Sequence, residues 1–201
     1  MQSLSAHKKV TEHSISTQIQ QARSLLRDGR IAEARRVARA AVLAAGGEAR
    51  ALQELGRLMT ELQDFTAAEQ AFSEAAAKAP DLPQLQIALG LMRKFLGRFD
   101  EAESSFSEAL RQDPESATAL VNLSQIRPVD LSDPVTERME RRLVSGTRLS
   151  LADELALRYA LGRVYDEARL YREAFRQISH ASRPKRASIV YPEADILGIF
   201  E

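Results

Sequence analysis

The chain has 201 residues, 28 basic and 28 acidic side chains, and no cysteine. The balanced charge gives it no overall field that would draw it to nucleic acid or to an acidic membrane. Without cysteine there can be no disulfide framework, thiolate nucleophile or cysteine metal site. Aromatic residues make up only 5% of the chain, while alanine, leucine, arginine and glutamate are abundant. This composition is typical of an all-helical protein.

Residues 1–14 precede the first regular pattern, and we expect them to form a flexible N-terminus. Lys8 and Lys9 are not followed by an apolar stretch, so the segment does not have the pattern of a secretory signal. No apolar run in the chain reaches the roughly eighteen residues that a membrane-spanning helix needs. The sequence therefore predicts a cytoplasmic protein without a membrane partner.

A pattern with a period of 34 residues follows, at 15–48, 49–82 and 83–116. The last two copies align Leu55-Gly56 with Leu89-Gly90 and Phe72 with Phe106, and the first copy keeps the small residues Ala22, Ala34 and Ala41 in register. Small residues at fixed positions allow two antiparallel helices to approach closely, and bulky residues fill the space around them. Each copy also has a polar turn in its middle, so it predicts a helix-turn-helix pair. The turns are Asp28-Gly29-Arg30, Gln63-Asp64 and Gly97-Arg98.

Residues 117–154 form an irregular stretch four residues longer than one copy. The first half keeps the pattern, but Pro128 and Pro134 cannot both lie inside one continuous helix. Asp133 has the character of an N-cap with Pro134 at the first helical position, which predicts a helix to about Ser145. We therefore expect a modified repeat whose second helix is displaced by a longer loop.

Ser150 and Asp153 resemble a capping box that opens the next helix. The pattern then returns in phase at 155–188, with Leu161-Gly162 and Ala174 in register. Pro184 predicts that the second helix of this copy stops near Ser182.

Residues 189–201 follow the last copy and are apolar towards their end. Ile196, Leu197, Ile199 and Phe200 come after Pro192, where a helix could start. We expect a tail or linker helix that folds back onto the last repeat or pairs with a second copy of the chain, because so much apolar surface seldom stays exposed.

The four in-phase copies resemble the tetratricopeptide repeat. The resemblance implies an all-α fold, an α-α superhelix or solenoid of antiparallel helix pairs, with one repeat domain over 15–188. It also implies that the protein binds a protein or peptide in the concave groove of the superhelix.

The groove can be assigned to particular positions of each repeat. At 100° per residue, the second, fifth, ninth, twelfth and thirteenth positions point away from the second helix of the pair. Glu61 and Thr118 occupy such positions, and the thirteen residues that we predict to bind the ligand are Ile19, Arg23, Arg50, Gln53, Arg57, Thr60, Gln84, Ile87, Leu91, Lys94, Phe95, Val121 and Gln125.

The chemistry of this groove changes along its length. It is basic and polar at Arg50 and Arg57 and apolar at Ile87, Leu91 and Phe95. Repeat proteins that grip chaperone tails use Lys and Asn at the fifth and ninth positions of one repeat, a pattern that is absent here, so a chaperone tail is not the expected ligand. The alternative for the three apolar residues is that they pack against a neighbouring helix.

The part of the chain from Leu123 to Glu201 also resembles the end of the repeat region in bacterial tetratricopeptide-repeat sulfotransferases. In that family such a segment leads into a catalytic domain that uses 3′-phosphoadenosine 5′-phosphosulfate. The matching residues are Asp133-Pro134, Leu149-Ser150, Asp153, Tyr159-Ala160-Leu161-Gly162, Tyr171-Arg172-Glu173-Ala174-Phe175, Lys185-Arg186-Ala187-Ser188, Tyr191 and Pro192-Glu193-Ala194-Asp195.

This resemblance implies an accessory or substrate-presenting region whose catalytic domain is not in this chain. Two alternatives remain open: a parent protein that is itself a sulfotransferase, and a structural module that associates with itself or with a cognate catalytic domain through its tail. None of the matching residues is expected to catalyse a reaction.

No residue pattern in the chain predicts a catalytic, cofactor or metal site. His7, His13 and His180 have no second ligand at helical metal spacing. Ser145-Gly146-Thr147 follows an amphipathic helix rather than a strand, so it reads as a turn and not as a phosphate loop. The basic run 183–186 is short and lacks interleaved aromatic residues, which favours a solvent-exposed or interdomain role over nucleic-acid binding.

Overall fold

The computed structural model describes the backbone of residues 2–44, 48–145 and 148–188, and the side chains of 15–43, 48–145 and 148–182. Within these ranges the secondary structure consists of ten α-helices and no strand, so the all-α prediction is confirmed. The helices are α1 (Gln2–Arg27), α2 (Ile31–Ala44), α3 (Ala49–Glu61), α4 (Phe65–Lys78), α5 (Pro83–Phe95), α6 (Phe99–Gln112), α7 (Ala117–Ile126), α8 (Pro134–Val144), α9 (Leu151–Glu167) and α10 (Tyr171–Ser188).

The chain divides into two compact units, Met1–Arg127 and Pro128–Glu201. In the first unit the helices pair in order, α1 with α2, α3 with α4 and α5 with α6. The second helix of each pair also packs against the first helix that follows it, and α7 lies against α5 and α6. In the second unit α9 packs against α8 and α10. Each unit is thus built from helices that contact their neighbours in sequence.

The turn inside each helix pair has the same backbone structure in all four places where the sequence repeats. Three residues separate the helices, and the middle one has a positive φ: 75° at Gly29, 57° at Gln63, 76° at Gly97 and 62° at Arg169. The third turn residue donates its N–H to a carbonyl five residues earlier, as Arg98 does to Arg93. This is the Schellman arrangement, which satisfies the last carbonyls of the first helix.

Small residues allow the two helices of a pair to approach closely. A Cβ atom placed on Gly56 would lie 2.8 Å from the ring of Phe72, and one on Gly90 would lie 2.8 Å from the ring of Phe106. The small and bulky positions of the pattern therefore meet face to face, as the sequence predicts.

Successive helix pairs are joined by a polar contact that recurs at one position of the pattern. Arg35 of α2 donates to the carbonyl of Leu62 at 2.7 Å. Its equivalents are Glu69 of α4, which pairs with Arg93 at 3.4 Å, and Glu103 of α6, which pairs with Arg127 at 3.2 Å. Each second helix thus presents a hydrogen-bonding side chain to the helix pair that follows.

Arg93 occupies a position of the pattern that is usually apolar. Its guanidinium pairs with Glu69 and also donates to Ser105 Oγ at 2.7 Å. These contacts provide hydrogen-bond partners for the Arg93 guanidinium, which lies between α4, α5 and α6.

The predicted caps of the second unit are confirmed. Asp133 accepts a hydrogen bond from the N–H of Val135 at 2.8 Å, and α8 begins at Pro134. Ser150 accepts one from the N–H of Asp153 at 3.0 Å and donates its hydroxyl to the Asp153 carboxylate at 2.7 Å.

Two helix bounds differ from the sequence-based expectation. The first helix begins at Gln2, well before residue 15. The last helix continues through Pro184 to Ser188 instead of stopping near Ser182. Proline deprives a helix of one hydrogen bond and kinks it, but it does not prevent the residues after it from taking helical dihedral angles. The predicted tail, 189–201, lies outside the described residues.

Candidate functional site

The first helices of the first unit lie side by side and expose one common face. α1 contacts α3, and α5 contacts α7. Because Gly56 and Gly90 face the second helices, the opposite side of each first helix is turned outward. We call this side the first-helix face; the predicted residues that reach its surface are Arg23, Arg50, Gln53, Arg57, Thr60, Gln84, Ile87, Leu91, Lys94, Phe95 and Gln125.

The other two predicted groove residues, Ile19 and Val121, are buried, and the prediction for them is wrong. Ile19 lies on the same stripe of α1 as Ile15 and Ala22, both of which belong to the core. Val121 is buried because α7 packs against two helices and is enclosed from Ala119 to Ser124. Both side chains expose less than a tenth of their surface, and Ile19 borders solvent at a small cleft between α1 and α3.

A cluster of polar side chains joins α5 to α7 on the first-helix face. Lys94 Nζ donates to Asn122 Oδ1 at 2.9 Å and to Gln125 Oε1 at 2.5 Å. The amide nitrogen of Asn122 is itself fixed by the carbonyl of Thr118 at 2.8 Å. Both acceptors of the ammonium are neutral, and among the side chains that the structure describes no carboxylate pairs with it.

Burial of Lys94 lowers its pKa, since desolvation disfavours the charged form of an amine. A carboxylate brought to this ammonium would restore the electrostatic stabilisation that burial removes. The two amides hold the ammonium of Lys94 in place on the first-helix face.

Three arginines extend the positive charge across α1 and α3. Arg50 and Arg57 are seven residues apart on one side of α3, or about 10 Å along its axis. Arg50 makes only a loose ion pair with Glu54, at 3.9 Å. Arg23 and Arg57 make no ion pair with the residues described. A small cleft of about 260 Å³ lies beside Arg50, between α1 and α3, and its lining also includes Ile19 and the two carboxylates of Glu48 and Glu54.

The apolar residues of the face are partly engaged with the protein itself. Phe95 stacks on Phe65, with ring centroids 4.9 Å apart and an interplanar angle of 14°. Leu91 packs against the core of the first unit. Leu91 and Phe95 thus each use one side for packing, while Phe95 still exposes most of its surface.

Two residues of the site were not found from the sequence. Asn122 lies at the sixth position of its repeat, next to Val121, and the position rule selected the wrong neighbour. Phe65 belongs to a second helix, and only its stacking on Phe95 brings it to the face. Their polar or aromatic character was visible, but the contact across helices was not.

The described residues offer no sign of other chemistry. They contain no group of three or more His, Cys, Asp or Glu side chains that could hold a metal ion. None of the helices in this part of the chain is long and apolar enough to cross a membrane. Gly146 and Thr147, which with Ser145 form the predicted turn, lie outside the described ranges.

Comparison with known proteins agrees with this architecture. The sequence profile described as "Tetratricopeptide repeat" matches residues 19–83 and 87–127, which together exceed half of the chain. No curated protein sequence matches.

Several solved structures have a similar fold. MamA from Desulfovibrio magneticus RS-1 superposes with a TM-score of 0.65 at 14% identity, over 88% of this chain and 97% of that one. BtubC from P. vanneervenii superposes with a TM-score of 0.63 at 19% identity, over 91% of this chain and 92% of that one. For Pseudomonas aeruginosa PilF the TM-score is 0.58 at 16% identity, over 85% of this chain and 78% of that one. At these identities the likeness concerns the fold alone.

Proposed function

Because the chain belongs to the tetratricopeptide repeat family, we propose that it is a scaffold that binds a partner protein on the first-helix face. The ligand we propose is an extended peptide segment that carries acidic side chains next to apolar ones. The acidic side chains would contact Lys94 and the arginines of α3, and the apolar ones would contact Ile87, Leu91 and Phe95.

The observation that carries this proposal is the state of the Lys94 ammonium. It is half-buried, and its hydrogen-bond acceptors are amide oxygens. Arg57, on the first-helix face of α3, is exposed and makes no ion pair with the residues that the structure describes. A hydrogen bond between charged groups contributes about 1.5–3 kcal/mol. One carboxylate at Lys94 therefore accounts for roughly a tenfold gain in affinity or more.

The test starts from a random peptide library selected on the immobilised protein, followed by calorimetry with one selected peptide. Lys94→Gln removes the positive charge but still supplies a hydrogen-bond donor, the amide nitrogen of glutamine. We expect this variant to bind the peptide about tenfold more weakly. Replacing Arg50 and Arg57 together by Glu should weaken binding further, because it leaves α3 with four acidic and no basic side chains. Arg36→Gln, on the exposed side of α2, is the matched control and should leave the affinity unchanged.

Two results would contradict the proposal. The first is a selection that enriches peptides without acidic residues. The second is equal affinity for the Lys94→Gln and Arg36→Gln variants at equal thermal stability, which would place the ligand on another surface.

We also propose that the scaffold works in the cytoplasm, a location supported by the absence of cysteine. Service to a sulfotransferase rests on the resemblance of residues 123–201 alone, since the profile and the solved structures that match are those of repeat proteins. Calorimetric titration with 3′-phosphoadenosine 5′-phosphosulfate should show no binding to this chain. Micromolar affinity would mean that the turn at Ser145 is a phosphate site after all.

A further inference from the structure

Among the residues that the structure describes, no further helix packs over the outer side of α10 as one does over the equivalent helices of the first unit. In the first unit, Phe72 of α4 and Phe106 of α6 are 3% and 0% exposed, because the next first helix packs over them. Ile178 occupies the same position of the pattern in α10, packs on Gly162, and is 41% exposed. The last helix pair thus presents a side that the other pairs bury.

The chemistry of this side also changes. At the position where Arg35, Glu69 and Glu103 make polar contacts to the following helix pair, α10 has Phe175, which is 72% exposed. Tyr171 and Ile178 lie four residues before and three residues after it, on the same side of the helix. We call these three residues the α10 outer face. An apolar surface at this position suits an apolar occupant rather than another polar repeat.

Charge around the α10 outer face narrows the choice of occupant. Arg172 and Arg176 are exposed on the same turns, and Glu173 is the only acidic residue from Tyr171 to Ser188. Two copies of the face brought together would place like charges against each other, which is unfavourable. The occupant should therefore be apolar with acidic flanks.

We propose that the occupant is the chain's own segment 189–201. It contains the apolar residues Ile196, Leu197, Ile199 and Phe200, and its charged residues are all acidic: Glu193, Asp195 and Glu201. The segment therefore matches the α10 outer face in both hydrophobicity and charge.

The segment is also long enough to reach. Tyr171 lies seventeen residues before Ser188 in α10, or about 26 Å along the helix axis at about 1.5 Å per residue. Thirteen extended residues span up to about 43 Å at about 3.3 Å per residue. The tail can therefore return along α10 and cover all three side chains. This inference is independent of the ligand proposed for the first-helix face, which lies in the other unit.

Disulfide trapping in the full chain tests the contact. Because the chain has no natural cysteine, only the two introduced cysteines can form a bridge. One variant carries Phe175→Cys with Leu197→Cys. The matched control carries Tyr159→Cys with Leu197→Cys, because Tyr159 is exposed on α9 of the same unit but does not belong to the α10 outer face. Circular dichroism of the reduced variants checks the fold, and intact mass with non-reducing electrophoresis identifies the bridge.

We expect an intramolecular bridge in the Phe175→Cys pair that forms about tenfold faster than in the control pair, which corresponds to about 1.4 kcal/mol of preference. Equal rates in the two variants would show that the tail has no preferred site and would overturn the proposal. So would a disulfide-linked dimer, which would identify a second copy as the occupant, or the absence of any bridge at Phe175.

Discussion

Replacing Gly90 by alanine introduces one methyl group into the closest approach between α5 and α6. The new Cβ would lie 2.8–2.9 Å from three atoms of the Phe106 ring. That ring is fully buried, so it cannot move aside without displacing the core around it. The contact distance is well below the 3.5–4.0 Å at which carbon atoms attract each other.

Two opposing effects set the size of the change. Alanine is about 1 kcal/mol more favourable than glycine inside a helix. Forcing an extra methyl group into a packed core costs about 1–3 kcal/mol. Because three atoms of a fully buried ring lie this close to the new Cβ, we expect the upper part of that range and a net destabilisation of about 1–2 kcal/mol.

Gly162→Ala is the matched control. There the new Cβ would meet only one atom, Cγ1 of Ile178, at 2.9 Å, and the next nearest atom lies at 3.4 Å, so a small change of the Ile178 rotamer relieves the contact. The helix-propensity gain should then dominate, leaving the stability unchanged or raised by up to about 1 kcal/mol.

Urea unfolding followed by circular dichroism measures both variants against the parent chain. A double variant of Gly90→Ala with Phe106→Leu should show a favourable coupling of about 1 kcal/mol, because the smaller side chain gives up the space that the methyl group needs. The reasoning fails if Gly90→Ala is as stable as the parent, or if it equals Gly162→Ala.

Two further predictions concern pH. The hydrogen bond from Arg39, and to a lesser degree that from the N–H of Ala67, holds the pKa of Asp64 below its ordinary value of 3.8. The ionised carboxylate therefore stabilises the fold above about pH 4. This contribution to stability is lost as the pH falls through the pKa of Asp64 in the folded protein. Asp64→Asn should accordingly shrink the difference between urea midpoints at about pH 6 and about pH 3, and an unchanged difference would show that the pair is not coupled to folding. Burial, and then the hydrogen bond to Glu140, raise the pKa of Tyr165 to about 12. In a pH titration followed by ultraviolet absorbance, we therefore expect a phenolate step near pH 12. This step should disappear in the Tyr165→Phe variant and persist in the Tyr159→Phe variant. Stability should also fall as the pH rises above about 10, because the unfolded chain loses that proton first.

The helical architecture could be derived from the sequence because its signals are local and periodic. The 34-residue register identified Gly56 and Gly90 opposite Phe72 and Phe106, and the turns between the helices followed from Gly29 and Gly97. Caps such as Asp133 with Pro134 depend on neighbouring residues alone. Each of these features needs only the geometry of one helix or one turn.

The candidate site could be predicted only in part from the sequence. The position of a residue in the repeat predicts the direction of its side chain, but it does not predict which side chains surround it. The position rule selected Ile19 and Val121, which the packing of α1 and α7 buries. It passed over Asn122, whose role depends on Lys94 reaching from another helix at 2.9 Å. Burial is a property of everything that packs around a residue.

The composition and the repeat period by themselves determined an all-helical chain of paired helices with no cysteine chemistry. Only the tertiary structure decided which polar groups meet, that the Arg93 guanidinium pairs with Glu69 of another helix, and that no other described helix packs over the outer side of α10. The polar contacts between helices join residues far apart in the chain: Arg93 and Glu69 are 24 positions apart, and Lys94 and Asn122 are 28 apart. Their existence depends on how the helices stack, and stacking is the sum of many weak packing interactions that no single segment of the sequence encodes.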